Sequence, residues 1–108
     1  QESKERALLY ELERYIRLHS ATVSAAGLEE NFHYHRNFYS LLLRKYRGTT
    51  FREYLQDIRM QHAARLLRDT RFSVRDIALA AGYHNSSHFY HLFQRHFGVS
   101  PATYRADA

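Results

Sequence analysis

Residues 73–104 decide the fold of this chain, and they read SVRDIALAAGYHNSSHFYHLFQRHFGVSPATY. Ser73 can accept hydrogen bonds from free backbone N–H groups, and Asp76 places an acid in the first turn, so this pair predicts a helix start. Gly82 stands where a sharp turn needs a positive φ. A second helix opens at Asn85, and its apolar residues recur at spacings of three and four. They are Phe89, Leu92, Phe93 and Phe97. Two short helices joined by a glycine turn predict a helix-turn-helix.

The same pattern occurs about fifty residues upstream. Three pairs are separated by 50 positions: Gly48 and Gly98, Thr50 and Ser100, Tyr54 and Tyr104. Two more pairs, Ser24 with Ser73 and Leu28 with Ile77, are separated by 49, so the first turn is one residue shorter. We therefore predict a first unit that runs from Ser24 through a turn at residues 32–34 into a helix of about residues 35–47.

Two further helices complete the predicted architecture. An amphipathic helix from Ser3 to about His19 packs against the first unit. Thr50 and Glu53 form a capping box that opens a longer helix ending near Arg68. The prediction is an all-α fold of about seven helices, with two helix-turn-helix subdomains joined by a long linker helix. The predicted boundaries are 1–49 and 70–108 for the subdomains and 50–69 for the linker, with recognition helices at about 35–47 and 85–97.

These residues resemble the DNA-binding domain of AraC/XylS-family bacterial transcription regulators over roughly residues 5–105. The second half carries the most specific matches: Ile77-Ala78, Gly82-Tyr83, Phe89, Phe93, Gly98-Val99-Ser100-Pro101 and Tyr104-Arg105. The matches in the linker are Phe51, Tyr54-Leu55, Arg59, Ala63 and Leu66-Leu67. The chain departs from the family at Glu29, Leu41 and Leu43, where the family often has Ala, Arg and Phe.

The resemblance implies a function for the protein and the partners that it binds. It implies a C-terminal domain that binds double-stranded promoter DNA, with RNA polymerase as a further partner and activation as the usual outcome. It also implies a cytoplasmic protein with a sensing or dimerisation domain outside these residues. Because the chain begins with Gln1 rather than Met, we expect it to be a fragment of a longer regulator.

Composition agrees with a nucleic-acid partner and excludes several other classes. A hydrophobic fraction of 44% can build a core, and the lack of cysteine excludes disulfides and thiolate metal sites. No apolar run reaches membrane-spanning length, so we expect no membrane partner. The formal net charge is +5, and 14 of the 16 basic residues are arginine, whose planar donors suit phosphate and guanine.

Candidate base-reading residues lie on the side of each recognition helix opposite its buried stripe. The family motif implies Ser86, Ser87, Tyr90 and His91 in the second helix. In the first recognition helix, the helical register places four candidate base-reading residues on the outward side: Arg36, Asn37, Ser40 and Leu41. Phosphate contacts are predicted at Ser24, Arg44, Arg75 and Arg95, because cations and helix N-termini attract phosphate. Ser87 has an alternative role as a hydrogen-bonding residue at the helix start.

Two other functions remain open at this point. A helical protein-interaction module would use the same Tyr- and Arg-rich surface to bind another protein. The cluster of His84, His88, His91 and His96 has near-helical spacing that resembles a metal site, although no acid lies close in sequence to complete it. We expect neither a metal nor a cofactor. We also expect no enzymatic activity, since no nucleophile, base and orienting group occur together.

Overall fold

The computed structural model of the chain describes residues 2–32 and 36–108, and this part of the chain forms seven α-helices and no strand. The helices are α1 (Glu2–Leu18), α2 (Ala25–Phe32), α3 (Arg36–Arg47), α4 (Phe51–Asp69), α5 (Val74–Ala80), α6 (Ser86–Phe97) and α7 (Pro101–Asp107). The predicted all-α fold is confirmed. Of the predicted first turn, residues 33 and 34 lie outside the described residues. Two compact units, residues 1–56 and 57–108, meet within the sequence of α4.

In the first unit, α1 and α2 both pack against α3. The buried side chains recur at helical spacing, which is why these segments fold as amphipathic helices. They include Leu9, Leu12, Ile16, Leu28, Tyr39, Leu42 and Leu43. Tyr46 is half-buried, and its hydroxyl donates to Glu5 Oε1 at 2.6 Å. The apolar faces of α1 and α3 are therefore the faces that the unit buries.

A buried acid ties three helices of the first unit together. Glu13 is only 6% exposed. Its carboxylate accepts hydrogen bonds from Arg47 Nε at 2.8 Å, from Arg47 Nη2 at 3.0 Å and from the Tyr54 hydroxyl at 2.8 Å. The Arg47 hydrogen bond holds the pKa of Glu13 below its usual value of 4.5, and burial works against this shift. Burial, together with the Glu13 hydrogen bond, raises the pKa of Tyr54 to about 12.

This network predicts that acid destabilises the first unit. Because the folded-state pKa of Glu13 is lowered, its contribution is fully present above the unfolded-state pKa and is lost as pH falls through the folded-state pKa. We expect Glu13→Gln to lower the free energy of unfolding at neutral pH by about 1–3 kcal/mol. The half-exposed Arg47 keeps the loss below that of a fully buried pair. Urea unfolding measured at several pH values tests this expectation.

The control for this experiment is Glu11→Gln, because Glu11 lies exposed on the same helix. We expect that variant to stay within about 0.5 kcal/mol of the parent. The difference in the free energy of unfolding between the parent and Glu13→Gln should shrink as pH falls below 4.5, the usual glutamate pKa, because Glu13 then binds a proton more readily in the unfolded parent than in the folded one. A difference that stays constant down to about pH 3 would show that Glu13 is not ionised in the folded protein.

The second unit has a larger aromatic core. Phe89 and Phe93 are fully buried, and the ring centroid of Phe93 lies 5.8 Å from that of Phe89 and 4.6 Å from that of Phe97. The other buried residues of this core are Met60, Ala63, Ala64, Leu67, Ile77, Ala78, Ala81, Tyr83 and Leu92. The small residues on α5 allow close approach, and α5 and α7 both contact α6. Phe97, predicted in the buried stripe, is half-buried at the end of α6.

Side-chain caps fix where these helices begin. The Ser73 hydroxyl accepts from the Asp76 amide at 3.0 Å, and Asn85 Oδ1 accepts from the His88 amide at 3.0 Å. Thr50 and Glu53 form the predicted reciprocal capping box, with amide-to-side-chain distances of 3.1 and 3.2 Å. Gly82 adopts a φ of +100°, as predicted for the turn between α5 and α6. The Asn85 cap and the Gly82 turn set where α6 begins.

Candidate nucleic-acid interface

The second recognition helix exposes the residues that the sequence placed on its outer face. Asn85 caps α6, and Phe89, Leu92 and Phe93 anchor one side of it in the core. On the other side Ser87, Tyr90 and His91 are exposed, and Ser86 is half-buried at the first turn. Since α5 holds α6 by its buried side, the exposed side is the one able to enter a major groove.

The chemistry of this exposed face suits base edges. Tyr90 is 40% exposed, and its ring meets the ring of Phe89 edge-on at 6.5 Å, which supports the side chain at its base. His91 offers ring nitrogens that can donate to a purine N7 or O6. The capping acceptor of α6 is the Asn85 side chain, so the helix start does not depend on Ser87.

The first recognition helix has the same arrangement. Asn37, Ser40 and Leu41 are exposed on the side of α3 opposite the buried Tyr39, Leu42 and Leu43, and Leu41 is 65% exposed. The side chain of Arg36 lies outside the part of the chain that the structure describes. The predicted sets in the two helices are separated by 50 positions throughout: 36 and 86, 37 and 87, 40 and 90, 41 and 91. Each set therefore occupies equivalent positions on its own helix.

The predicted phosphate residues are all accessible. The Ser24 hydroxyl accepts from the Gly27 amide at 3.0 Å and so caps α2 while remaining exposed. Arg75 lies exposed in the first turn of α5, and Arg44 and Arg95 lie exposed in the last turns of α3 and α6. Guanidinium groups beside two reading helices can contact the sugar-phosphate backbone on either side of a groove.

The histidine cluster does not come together as a metal site. His88 stacks edge-on against Tyr83 at 5.9 Å, and His96 Nε2 lies 3.3 Å from Asp57 Oδ1. Over residues 2–32 and 36–108, no three His, Cys, Asp or Glu side chains lie close enough to hold a metal ion. No helix among the described residues is long and apolar enough to cross a membrane.

Sequence reasoning missed two polar features. The first is the Glu13 network, whose only signal was an acid inside the apolar stripe of α1. The second is a pocket on the second unit that contains Arg65, Arg68 and Tyr104. No residue of that pocket belongs to the predicted DNA-contacting sets, and every residue lining it is described.

Comparisons with known proteins agree with this geometry. A family model described as a helix-turn-helix domain matches residues 28–107. The melibiose operon regulatory protein of Escherichia coli strain K12 is 45% identical over 56 residues, which are 52% of this chain and 18% of that protein. The chain therefore spans about a fifth of that relative's length.

Two solved structures resemble this chain over most of its length. The C-terminal domain of AraT, a response regulator from Geobacillus stearothermophilus, is 27% identical with a TM-score of 0.87. That match covers 93% of this chain and 84% of the AraT domain. The DNA-binding domain of AdpA, a global transcriptional factor, was solved in complex with a target DNA. It is 26% identical with a TM-score of 0.83, and the match covers 92% of this chain and 90% of that domain.

Proposed function

The chain belongs to the AraC family of helix-turn-helix DNA-binding domains, and from this premise we infer that it reads promoter DNA with α3 and α6. One observation carries the proposal. Both helices bury three corresponding positions and expose the corresponding pairs 37 and 87, 40 and 90, and 41 and 91, so each presents an equivalent set of side chains to a groove. The formal net charge of +5 favours association with a polyanion.

We assign base reading and phosphate anchoring to different residues. Tyr90 and His91 read bases from α6 together with Ser86 and Ser87. Arg36, Asn37, Ser40 and Leu41 read bases from α3. Asn37 offers the two-point amide contact that adenine accepts, and Leu41 offers apolar contact to a thymine methyl group. Ser24, Arg44, Arg75 and Arg95 anchor phosphates and set the register.

The full-length protein is proposed to be a transcription activator. We propose that it acts in the bacterial cytoplasm and activates transcription by contact with RNA polymerase. A sensing or dimerisation domain lies elsewhere in the protein. A promoter–reporter assay with the full regulator tests activation, since an activator raises reporter output above the level without it. The proposed role of these 108 residues is to bind DNA, without a catalytic step.

Substitutions separate reading from anchoring. We expect His91→Ala and Asn37→Ala each to relax preference at particular base pairs by roughly 1–3 kcal/mol, because a lost base contact affects only the pair it reads. We expect Arg75→Ala to weaken binding to all sequences alike and to reduce the salt slope by about one unit, as for a phosphate contact. The measurement is binding to single-base variants of a selected site at two salt concentrations.

His84→Ala is the matched control, because His84 is exposed in the same unit but precedes the α6 cap. It should leave both base preference and salt slope unchanged. Uniform loss of affinity in His91→Ala, together with altered base preference in Arg75→Ala, would show that α6 does not lie in the groove as proposed.

A further inference from the structure

The two units bury side chains at corresponding positions of the sequence. One corresponding position differs in chemistry, because it holds an acid in the first unit and alanine in the second. Between α3 and α6, buried residues 50 positions apart are Tyr39 and Phe89, Leu42 and Leu92, Leu43 and Phe93. Between α1 and α4, buried residues 51 positions apart are Leu9 and Met60, Leu12 and Ala63, Ile16 and Leu67. By this register, Ala64 stands in the second unit where Glu13 stands in the first. Tyr104 likewise corresponds to Tyr54, and Arg68 to Arg17.

In the first unit this position holds a carboxylate. Glu13 accepts a hydrogen bond from the Tyr54 hydroxyl at 2.8 Å and two from Arg47. The positive charge of Arg17 also lies near enough to favour the ionised form of Glu13. The donors surrounding this position are thus a tyrosine hydroxyl and guanidinium groups, which match a carboxylate in charge and geometry.

In the second unit the tyrosine and the arginine equivalent to Arg17 remain, whereas alanine replaces the acid. A surface pocket of about 280 Å³ is lined by Gln61, Ala64, Arg65, Arg68, His96, Phe97 and Tyr104. All of these residues are described, and they include two arginines and no acid. Arg68 Nη1 donates to the Tyr104 hydroxyl at 2.6 Å, which leaves the hydroxyl proton able to reach a further acceptor. Phe97 replaces Arg47, so the second guanidinium comes from Arg65.

We propose that this pocket binds a carboxylate, held by Tyr104 and Arg68 in the position that the Glu13 side chain occupies in the first unit. Phe97 and Ala64 supply apolar surface, so the ligand is a carboxylate attached to an apolar group. It is either a free organic acid or an acidic side chain of a protein segment. Arg65 and Gln61 add donors, and His96 is paired with Asp57 at 3.3 Å.

The pocket meets α6 at a different place from the one assigned to DNA. His96 and Phe97 lie at the C-terminal end of α6, whereas Tyr90 and His91 lie in its second turn. Carboxylate binding therefore requires no base-reading residue, and it can be measured without DNA. Its failure would leave the proposed DNA binding untouched.

The test uses the 108-residue chain and paired probes. One pair is 3-phenylpropionate and its neutral amide; the other is a blocked pentapeptide with a central glutamate and the same peptide with glutamine. Titration is followed by NMR through the amide of Ala64 and the side-chain N–H groups of Arg65 and Arg68. We expect each acid that binds to do so at least about tenfold more tightly than its neutral twin, because charge-assisted hydrogen bonds are lost in the twin.

Substitutions locate the binding. Tyr104→Phe keeps the ring packed against Phe93 and removes the hydroxyl, so we expect acid binding to weaken about five- to tenfold. Tyr83→Phe, a buried tyrosine of the same unit outside the pocket, should leave it unchanged. Ala64→Glu should supply the carboxylate from within the chain, which would block the probes. The carboxyl group it introduces should titrate below the usual 4.5 of glutamate, as Glu13 does.

The outcomes separate the two sources and can overturn the proposal. Tighter binding of 3-phenylpropionate than of the glutamate peptide identifies a free organic acid, and the reverse identifies a protein side chain. Equal binding of acids and neutral twins, no binding of either acid, or equal effects of Tyr104→Phe and Tyr83→Phe would each refute the carboxylate site. If Ala64→Glu does not fold, the comparison of Tyr104→Phe with Tyr83→Phe still shows whether the pocket binds the acid.

Discussion

Phe93→Ala is expected to destabilise residues 57–108 by about 3–5 kcal/mol, the usual cost of deleting a fully buried phenylalanine. Phe93 has no exposed surface, and its ring centroid lies 5.8, 4.6 and 5.5 Å from those of Phe89, Phe97 and Tyr104. Since the residue joins α6 to α7, little of the resulting cavity can close by local movement. Urea unfolding followed by far-ultraviolet circular dichroism measures the loss.

Phe72→Ala is the control for this prediction, because it makes the same chemical change in the same unit at a side chain that is 55% exposed. We expect its effect to stay within about 0.5 kcal/mol. If Phe93→Ala unfolded at the same urea concentration as Phe72→Ala, the buried face of α6 would be wrong. The residues assigned to the groove would then have to be chosen again.

The second large effect is the salt dependence of DNA binding. If the domain neutralises about six to ten phosphates, raising salt from about 50 to 200 mM should lower affinity by about 10³–10⁵-fold through counterion release. The arginine-rich composition and the exposed positions of Arg44, Arg75 and Arg95 motivate this expectation. Fluorescence anisotropy with a labelled duplex over a salt series provides the slope.

The same titration distinguishes DNA binding from the alternative protein-interaction module. A mostly apolar interface should change little with salt, whereas removing three phosphate contacts by Arg44→Ala, Arg75→Ala and Arg95→Ala together should lower the slope by about three units. A matched triple variant to alanine at Lys4, Arg14 and Arg52, which are exposed basic residues outside the predicted phosphate set, controls for the loss of three positive charges. A parent slope near zero would favour the interaction module.

Most of the second unit could be predicted from sequence because its signals are local. The Ser73 and Asn85 caps, the positive φ of Gly82 and the stripe through Phe89 and Phe93 each involve residues within a few positions of one another. Such features follow from helix geometry and backbone sterics alone. The exposed face of α6 is then the side opposite the buried stripe, which is why its candidate reading residues could be predicted from the amino-acid order.

The features that could not be predicted from the sequence depend on residues far apart in the chain. Glu13 is buried because Arg47 and Tyr54 reach it from 34 and 41 positions away, and its place among the apolar residues of α1 does not identify these partners. The pocket beside Ala64 was missed for the same reason, since its lining comes from α4, α6 and α7.

The central claim is that α3 and α6 read successive major grooves from one face of the duplex. Hydroxyl-radical footprinting on a site selected from a random DNA pool tests it most directly. We expect protection over roughly 20 base pairs, in two patches about one helical turn apart on one face, at a site that need not be palindromic. A single protected patch of half a turn, or an obligatory inverted repeat for binding of one domain, would contradict it.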